Sequence, residues 1–399
     1  MSKFLLVFIL AKYLSPEELG LYGLLTAAVG YSLYFLGFDF YIYTTRELIG
    51  SEKAVWGKLI KSQCLFSMLL YCFFGPLLVL VFVGKLLPWS MFGWFFLLLV
   101  MEHWAQELNR LLIAASEQVW ASLILCLRSG LWAATLALWM TFTPESRSLT
   151  TVFTFWSCGG ALALILGGYK LRQMRLGGWS EPVDWRWVQT GLKIVLPLLF
   201  ATLAIRAVFT LDRYFFEFLS GLQALGAYVL FIGMCSALLA FLDAGVFAFS
   251  YPRLIADWKA SSEKLFWRRM KIMSIQVAGV SMLFILASIL TLDPLLKWTG
   301  KSIYLEYSSI FFWLLAATVL YGISMIPHYG LYSMGHDKPI IQSHIGVVTI
   351  FIVLVIALSK VLEVLAVPVS LCVAFGLMVV WKSGMLALRY RARSFTSHP

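Results

Sequence analysis

WASLILCLRSGLWAATLALWM, residues 120–140, runs for twenty-one residues with a single charge, Arg128, eight residues in. A helix of about twenty apolar residues crosses a hydrocarbon core of roughly 30 Å. A guanidinium at that depth costs several kcal/mol unless it faces protein or water. The segment therefore reads as a membrane-spanning helix whose arginine points inward. A second stretch of the same kind, LKIVLPLLFATLAIRAVFTL at 192–211, carries Arg206 fourteen residues in. Two arginines at bilayer depth imply an interior polar pathway and an anionic cargo.

The rest of the chain agrees with this reading of its class. Hydrophobic residues make up 61% and charged residues 13%, with mean hydropathy +0.86. A soluble domain carries about a quarter charged residues. Spans are expected near 3–14, 20–43, 63–83, 88–108, 119–140, 149–169, 192–211, 223–249, 272–292, 305–333, 339–358 and 364–381. The expected fold is thus an all-α polytopic membrane protein with about twelve transmembrane helices. The first span is short: Phe4 to Leu14 includes Lys12 and reaches only half of a bilayer at about 1.5 Å per residue. It reads as a chain that starts inside its own first helix.

Charge in alternate loops sets the expected orientation. Loops near 44–62, 109–118, 170–191, 251–271 and 334–339, with the tail 382–399, hold twenty Lys and Arg; the other set holds seven. The richer set is cytoplasmic by the positive-inside rule, which puts both termini inside. The net charge of +11 is then topology and attraction to anionic lipid heads, with no call for nucleic acid as a partner. Cys64, Cys72, Cys126, Cys158, Cys235 and Cys372 all lie in apolar spans without disulfide or metal spacing. The five histidines form no metal-binding pattern, and no phosphate-binding glycine loop occurs, so no cofactor is expected. Energy must come from a gradient.

A shift of 206 residues lays Leu19, Gly20 and Tyr22 over Leu225, Gly226 and Tyr228, and Leu48–Ile49 over Leu254–Ile255. Asp39 and Asp243 precede Arg46 and Arg253 in the two copies. The copies share one orientation, as parallel repeats do. Six-helix lobes are expected at 1–175 and 192–399, the second with a basic cytoplasmic tail, joined by a connector at 176–191. Trp179, Trp185 and Trp187 in and beside that connector read as interfacial anchors.

The segments LSPEELGLYGLL and LGFDFYIYTTREL near the start resemble the polysaccharide-transporter family, the Wzx-type flippases of O-antigen and capsule units. ELNRLLIA at 107–114, LRSGLW at 127–132, LDRYF at 211–215, LGAYVLF at 225–231 and YPRL at 251–254 carry the same resemblance along nearly the whole chain. It implies the wider superfamily of multidrug extruders and lipid-linked oligosaccharide flippases, with two six-helix lobes flanking a central cavity. It also implies a cargo, an undecaprenyl-diphosphate-linked sugar unit carried across the bacterial inner membrane by ion-coupled alternating access. A polysaccharide polymerase and a chain-length regulator would be partners beside the membrane lipids.

The polar residues are candidates in two groups. Arg128, Arg206, Arg46 and Arg213 are the candidate substrate-binding cations. Arg46 also stands where the resemblance places the arginine of TTREL, although a cytoplasmic helix end explains it as well. Arg128 has a structural alternative, an ion pair with Glu102 or Glu107. Asp39, Asp243, Glu102 and Glu107 are the candidate ion-coupling acids. Gln106 and Glu107 lie three and four residues from His103 and so share its helix face. Asp212 and Arg213 border the expected outer end of span 7, either as a gate or as a solvated loop pair. Two other readings stay open: a multidrug extruder with cationic cargo, against which the deep arginines weigh, and a membrane enzyme of polysaccharide assembly, for which the short outer loops leave little room.

Overall fold

The computed structural model describes residues 2–396, with side-chain surroundings for 4–390; Arg391, Arg393 and His398 of the expected basic tail lie outside the latter range. The chain divides into two compact units, Met1–Leu203 and Ala204–Pro399.

The first unit holds α1 (Ser2–Tyr13), α2 (Pro16–Gly37), α3 (Tyr41–Ile49), α4 (Trp56–Leu78), α5 (Leu80–Val83) and α6 (Phe92–Ala114). It continues with α7 (Gln118–Cys126), α8 (Trp132–Phe142), α9 (Leu149–Gln173) and the first part of α10 (Trp185–Leu242). The second unit holds the remainder of α10, α11 (Ala248–Lys259), α12 (Glu263–Thr299), α13 (Ser302–Glu306), α14 (Ser308–Ser333), α15 (Asp337–Leu362) and α16 (Ala366–Thr396). Among the described residues the regular structure is entirely helical.

Among the described residues, eight helical stretches are long and apolar enough to cross a membrane. Two of them, Trp185–Lys259 and Asp337–Tyr390, run for 75 and 54 residues and so hold two crossings each. The shorter α1 and the half-polar α6 lie where the sequence places spans 1 and 4. The chain is a multi-pass membrane protein.

Local chemistry sets where these helices start, bend and stop. Ser15 and Glu18 cap α2 reciprocally: Ser15 Oγ accepts from the Glu18 N–H at 3.1 Å, and Glu18 Oε2 accepts from the Ser15 N–H at 2.9 Å. Pro16, with no N–H to satisfy, fills the first turn. The helix ends where Phe38 and Asp39 both adopt φ +51, a left-handed break that re-aims the chain into α3. In the second unit the corresponding acid, Asp243, opens a π-helical turn, Asp243–Phe247, between α10 and α11. Each unit thus interrupts its helix at the aspartate that shortly precedes Arg46 or Arg253 in its copy.

Span 5 is interrupted as well. Leu127–Leu131 forms a π-helical turn between α7 and α8, and Arg128 lies in it. The looser turn leaves a carbonyl poorly served, and the Trp132 indole donates to the Arg128 carbonyl at 2.8 Å. α9 closes on this turn at Gly159, where an added Cβ would stand 2.8 Å from the Trp132 side chain and 2.9 Å from the Leu127 carbonyl oxygen. Only glycine permits that approach.

Two expected boundaries move. The expected outer loop 212–222 is helical up to the reversal at Gly221 (φ +79, ψ 169). The Tyr228 hydroxyl donates to Asp212 Oδ2 at 2.8 Å, and the Phe216 and Tyr228 rings stack at 4.5 Å. Sixteen residues of straight helix would span about 24 Å, so α10 is a hairpin of two helices. Asp212 has 0% exposure, which corrects the solvated-loop reading. α16 continues past the expected end at 381, and Lys382, expected at the start of the tail, is buried inside it.

The connector docks on the start of α4. The Gly57 N–H donates to the Gly177 carbonyl at 2.7 Å, and the Asp184 N–H donates to Ser62 Oγ at 3.0 Å. Lys58 Nζ lies 3.1 Å from Asp184 Oδ2, and Lys61 Nζ donates to the carbonyls of Trp179 and Glu181. Trp179 and Trp185 are exposed, as interfacial anchors would be. Trp187 is not: its ring meets Phe40 at 5.4 Å and Tyr43 at 5.1 Å inside a small core with Phe66, Leu70 and Val195.

Candidate functional site

In the first unit, α6 distributes its polar residues to two sides. Glu102 turns toward α9 and the π turn. Its Oε2 pairs with Arg128 Nη1 at 3.1 Å, and its Oε1 accepts from the Trp156 indole at 2.6 Å. Trp156 stacks on Trp132 at 5.7 Å and 5°. The pair is largely enclosed, with 14% of the Arg128 side chain and 9% of the Glu102 side chain exposed. Of the readings open for Arg128, the structure thus supplies the geometry of an ion pair with Glu102.

The other side of α6 faces α4 and the break between α2 and α3. The Tyr71 hydroxyl and His103 Nδ1 are 2.9 Å apart. Glu107 Oε2 accepts from Gln63 at 2.6 Å, and Glu107 Oε1 pairs with Arg110 at 2.7 Å. The Arg110 guanidinium lies 3.4 Å above the Tyr41 ring. Two pockets share this arginine. One is lined by Tyr41, Gln63, Trp104 and Glu107 among others. The other, smaller, is lined by Tyr34, Asp39, His103 and Gln106 among others. Asp39 is therefore joined to the His103 face of α6 that the residue spacing pointed to. Arg46 is exposed on α3.

In the second unit the first arm of α10 and the π turn bring Arg206 and Asp243 within electrostatic reach, both exposed. The Tyr329 hydroxyl on α14 lies within the same range of Asp243. Its ring stacks on Tyr251 at 5.6 Å and 18° and meets Phe247 at 5.1 Å. Phe209, one turn beyond Arg206, meets Tyr321 at 5.1 Å and Phe375 at 5.5 Å. Asp243 thus has Arg206 and the Tyr329 end of the Tyr251–Tyr329 stack within electrostatic reach. Arg213 is half-buried, and its backbone N–H donates to Asp212 Oδ1 at 2.7 Å.

Each membrane-depth arginine thus has a carboxylate from another segment nearby, Glu102 at 3.1 Å from Arg128 and Asp243 within electrostatic reach of Arg206, both among the partners the sequence offered. Helical spacing predicts neighbours on one helix, and these partners come from folding in three dimensions. The same limit hid a cluster that the structure assembles in the second unit. Lys382 Nζ lies 3.3 Å from His344 Nε2 and 3.5 Å from His328 Nδ1. Among the described residues no group of His, Cys, Asp and Glu could hold a metal ion.

Outside the membrane-spanning helices, the Trp187 backbone N–H, 2.9 Å from Asp184 Oδ1, and the Lys58 ammonium hold the Asp184 carboxyl below its usual range. Asp184 therefore acts as the charged N-cap of α10.

No family model matches the sequence, and no curated protein matches it. Solved structures do match. The chain is similar to the inward-facing conformation of a multidrug resistance MATE family transporter of the MOP superfamily, with a TM-score of 0.84 at 12% identity, over 100% of this chain and 96% of that one. An outward-facing conformation of a MATE family transporter matches with a TM-score of 0.60 at 14% identity, over 98% and 92%. A mutant MATE transporter from Vibrio cholerae matches at 0.57 and 14%, over 98% of each chain. At such identities the likeness is one of fold: the chain has the all-helical fold of the MATE transporters.

Proposed function

We propose that this chain is a transporter that exports amphipathic aromatic cations across the bacterial inner membrane by alternating access, driven by an ion gradient. One observation carries the reading: Asp243 stands exposed against the stacked Tyr251–Tyr329 pair, with Arg206 as its displaceable neighbour. Aromatic faces attract organic cations, by about 0.5–2 kcal/mol each, and a carboxylate supplies the counter-charge. An incoming cation would exchange places with the Arg206 guanidinium at Asp243 without leaving a buried charge unpaired. The deep arginines had weighed against a cationic cargo. Arg128 is neutralised by Glu102, which removes half of that objection. The solved transporters of this fold described as multidrug resistance proteins support the same reading.

A flippase of lipid-linked oligosaccharides is the second reading, favoured by the exposure of Arg206 and Arg46, since a planar guanidinium suits a diphosphate. In it Arg206 would take the cargo, a polymerase and a chain-length regulator would be partners, and Asp243 would release it. Both readings place the termini in the cytoplasm. Binding separates them. Ethidium should bind the purified protein and lose most of its affinity on Asp243→Asn, with Arg206→Gln tolerated. The opposite result, with restored surface polysaccharide in a flippase-null strain that depends on Arg206, would establish the second reading.

A further inference from the structure

We propose that Lys382, His328 and His344 form a proton-carrying site in the second unit, taking up and releasing one proton between α14, α15 and α16.

The geometry is specific. The Lys382 ammonium has two polar partners, His344 Nε2 at 3.3 Å and His328 Nδ1 at 3.5 Å. The two imidazole rings are parallel within 9°, their centroids 5.9 Å apart. Lys382 has 0% exposure and His344 8%, while His328 is half-buried, so the amine is sealed and the cluster meets open space chiefly at His328. Tyr329 meets the His328 ring edge-on at 5.3 Å, and has Asp243, Tyr251, Tyr321 and Tyr332 within its own electrostatic reach. α15 contributes His344 and α16 contributes Lys382.

Among the described residues no carboxylate pairs with Lys382; such a buried lysine is costly while charged and tolerable while neutral, and lysine adapts to burial by giving up its proton. Each imidazole nitrogen facing Nζ can accept a hydrogen bond from either form of the amine. A second proton on the cluster would put two positive charges within 3.5 Å of each other. The cluster therefore alternates between one proton and none. In the uptake step a proton from water bonds to a nitrogen lone pair; in release that N–H bond breaks and the proton returns to water, with no change of oxidation state. His344 lies seven residues into α15, about 10 Å along the axis from the α14–α15 turn, so exchange has a short path to that end of the unit.

The test uses the full chain in lipid nanodiscs with isotope-labelled histidine, of which the protein has five, assigned by single His→Gln variants. The expected result is that the imidazole ¹⁵N signals of His328 and His344 move together with one shared midpoint between about pH 5 and 9. Lys382→Met, of similar length and apolar, should abolish that shared midpoint. Should that variant not fold, His328→Gln should shift the His344 midpoint by at least half a pH unit. Signals flat across this range in the wild type, or an unchanged midpoint in either variant, would overturn the proposal. Coupling of the proton to cargo rests on the transport reading. A shared midpoint together with dye export indifferent to Lys382→Met would leave the proton site standing and the transport reading intact, and would overturn only the coupling between them.

Discussion

Glu102→Gln should destabilise the first unit far more than the loss of one hydrogen bond. The amide oxygen can still accept from the Trp156 indole, which donates to Glu102 Oε1 at 2.6 Å. What disappears is the charge that balances Arg128, whose side chain is only 14% exposed. Removing one member of a buried pair costs about 3–5 kcal/mol in proteins, against a mean near 0.6 for a single interhelical hydrogen bond in membranes. Because the pair retains slight exposure, we expect about 3 kcal/mol, a shift of about two decades in the unfolding equilibrium. Arg128→Met alone should cost a comparable amount by stranding the carboxylate. The double variant, with neither charge, should recover at least half of the summed loss. Unfolding by SDS in mixed micelles, followed by tryptophan fluorescence, reads all four corners, and the Trp132–Trp156 stack reports from beside the pair. Strictly additive losses, or singles that cost less than 1 kcal/mol, would show that the 3.1 Å contact carries no coupling and refute the argument.

Four further outcomes follow from the same structure. Asp184→Ala removes the charged N-cap of α10 and should cost about 1 kcal/mol, whereas Asp184→Asn should cost only a few tenths, measured by thermal unfolding of the solubilised protein. Because the folded-state pKa of Asp184 lies below its usual value of 3.8, its contribution is full above that value and is lost as pH falls through the lower one; an acid titration of wild type against Asp184→Asn should converge there. Ser15→Ala breaks the capping box of α2 and should lower stability by about 1 kcal/mol, with a smaller loss for Glu18→Gln, again by thermal unfolding. Gly159→Val should prevent α9 from closing on the π turn, seen as loss of monodisperse protein on size exclusion, while Gly279→Ala, where an added Cβ meets nothing, should be neutral.

The membrane class and the order of the twelve helices were legible because hydropathy and length depend on neighbours in sequence. So was the face of α6 shared by His103, Gln106 and Glu107, since spacing on one helix is local. What was hidden depends on partners distant in the chain. Trp187 looks like an anchor in sequence, and only Phe40 and Tyr43 make it a core residue. Lys382 looks like the first charge of a cytoplasmic tail; His328 and His344, 54 and 38 residues away, make it an interior base. Asp212 looks solvated until Gly221 turns Tyr228 back onto it. Arg128 stands between the two cases, because a counter-charge on span 4 was one of its two readings and geometry selected the partner.

The π turn at Leu127–Leu131 has a consequence for how the chain could have arisen and could be edited. A π turn holds one residue more than an α-helix needs for the same rise, so it is the footprint of a single-residue insertion. Each residue of an α-helix advances about 100° around the axis. Deleting one residue between Leu127 and Leu131 would heal the hydrogen-bond ladder while rotating α7 against α8 by about that angle. The shortened span would be a more regular helix that presents the wrong side to Gly159 and carries its arginine away from Glu102. Relatives of this chain that lack the extra residue should therefore also lack the arginine, the acid or the glycine, because the three make sense only with the interruption in place.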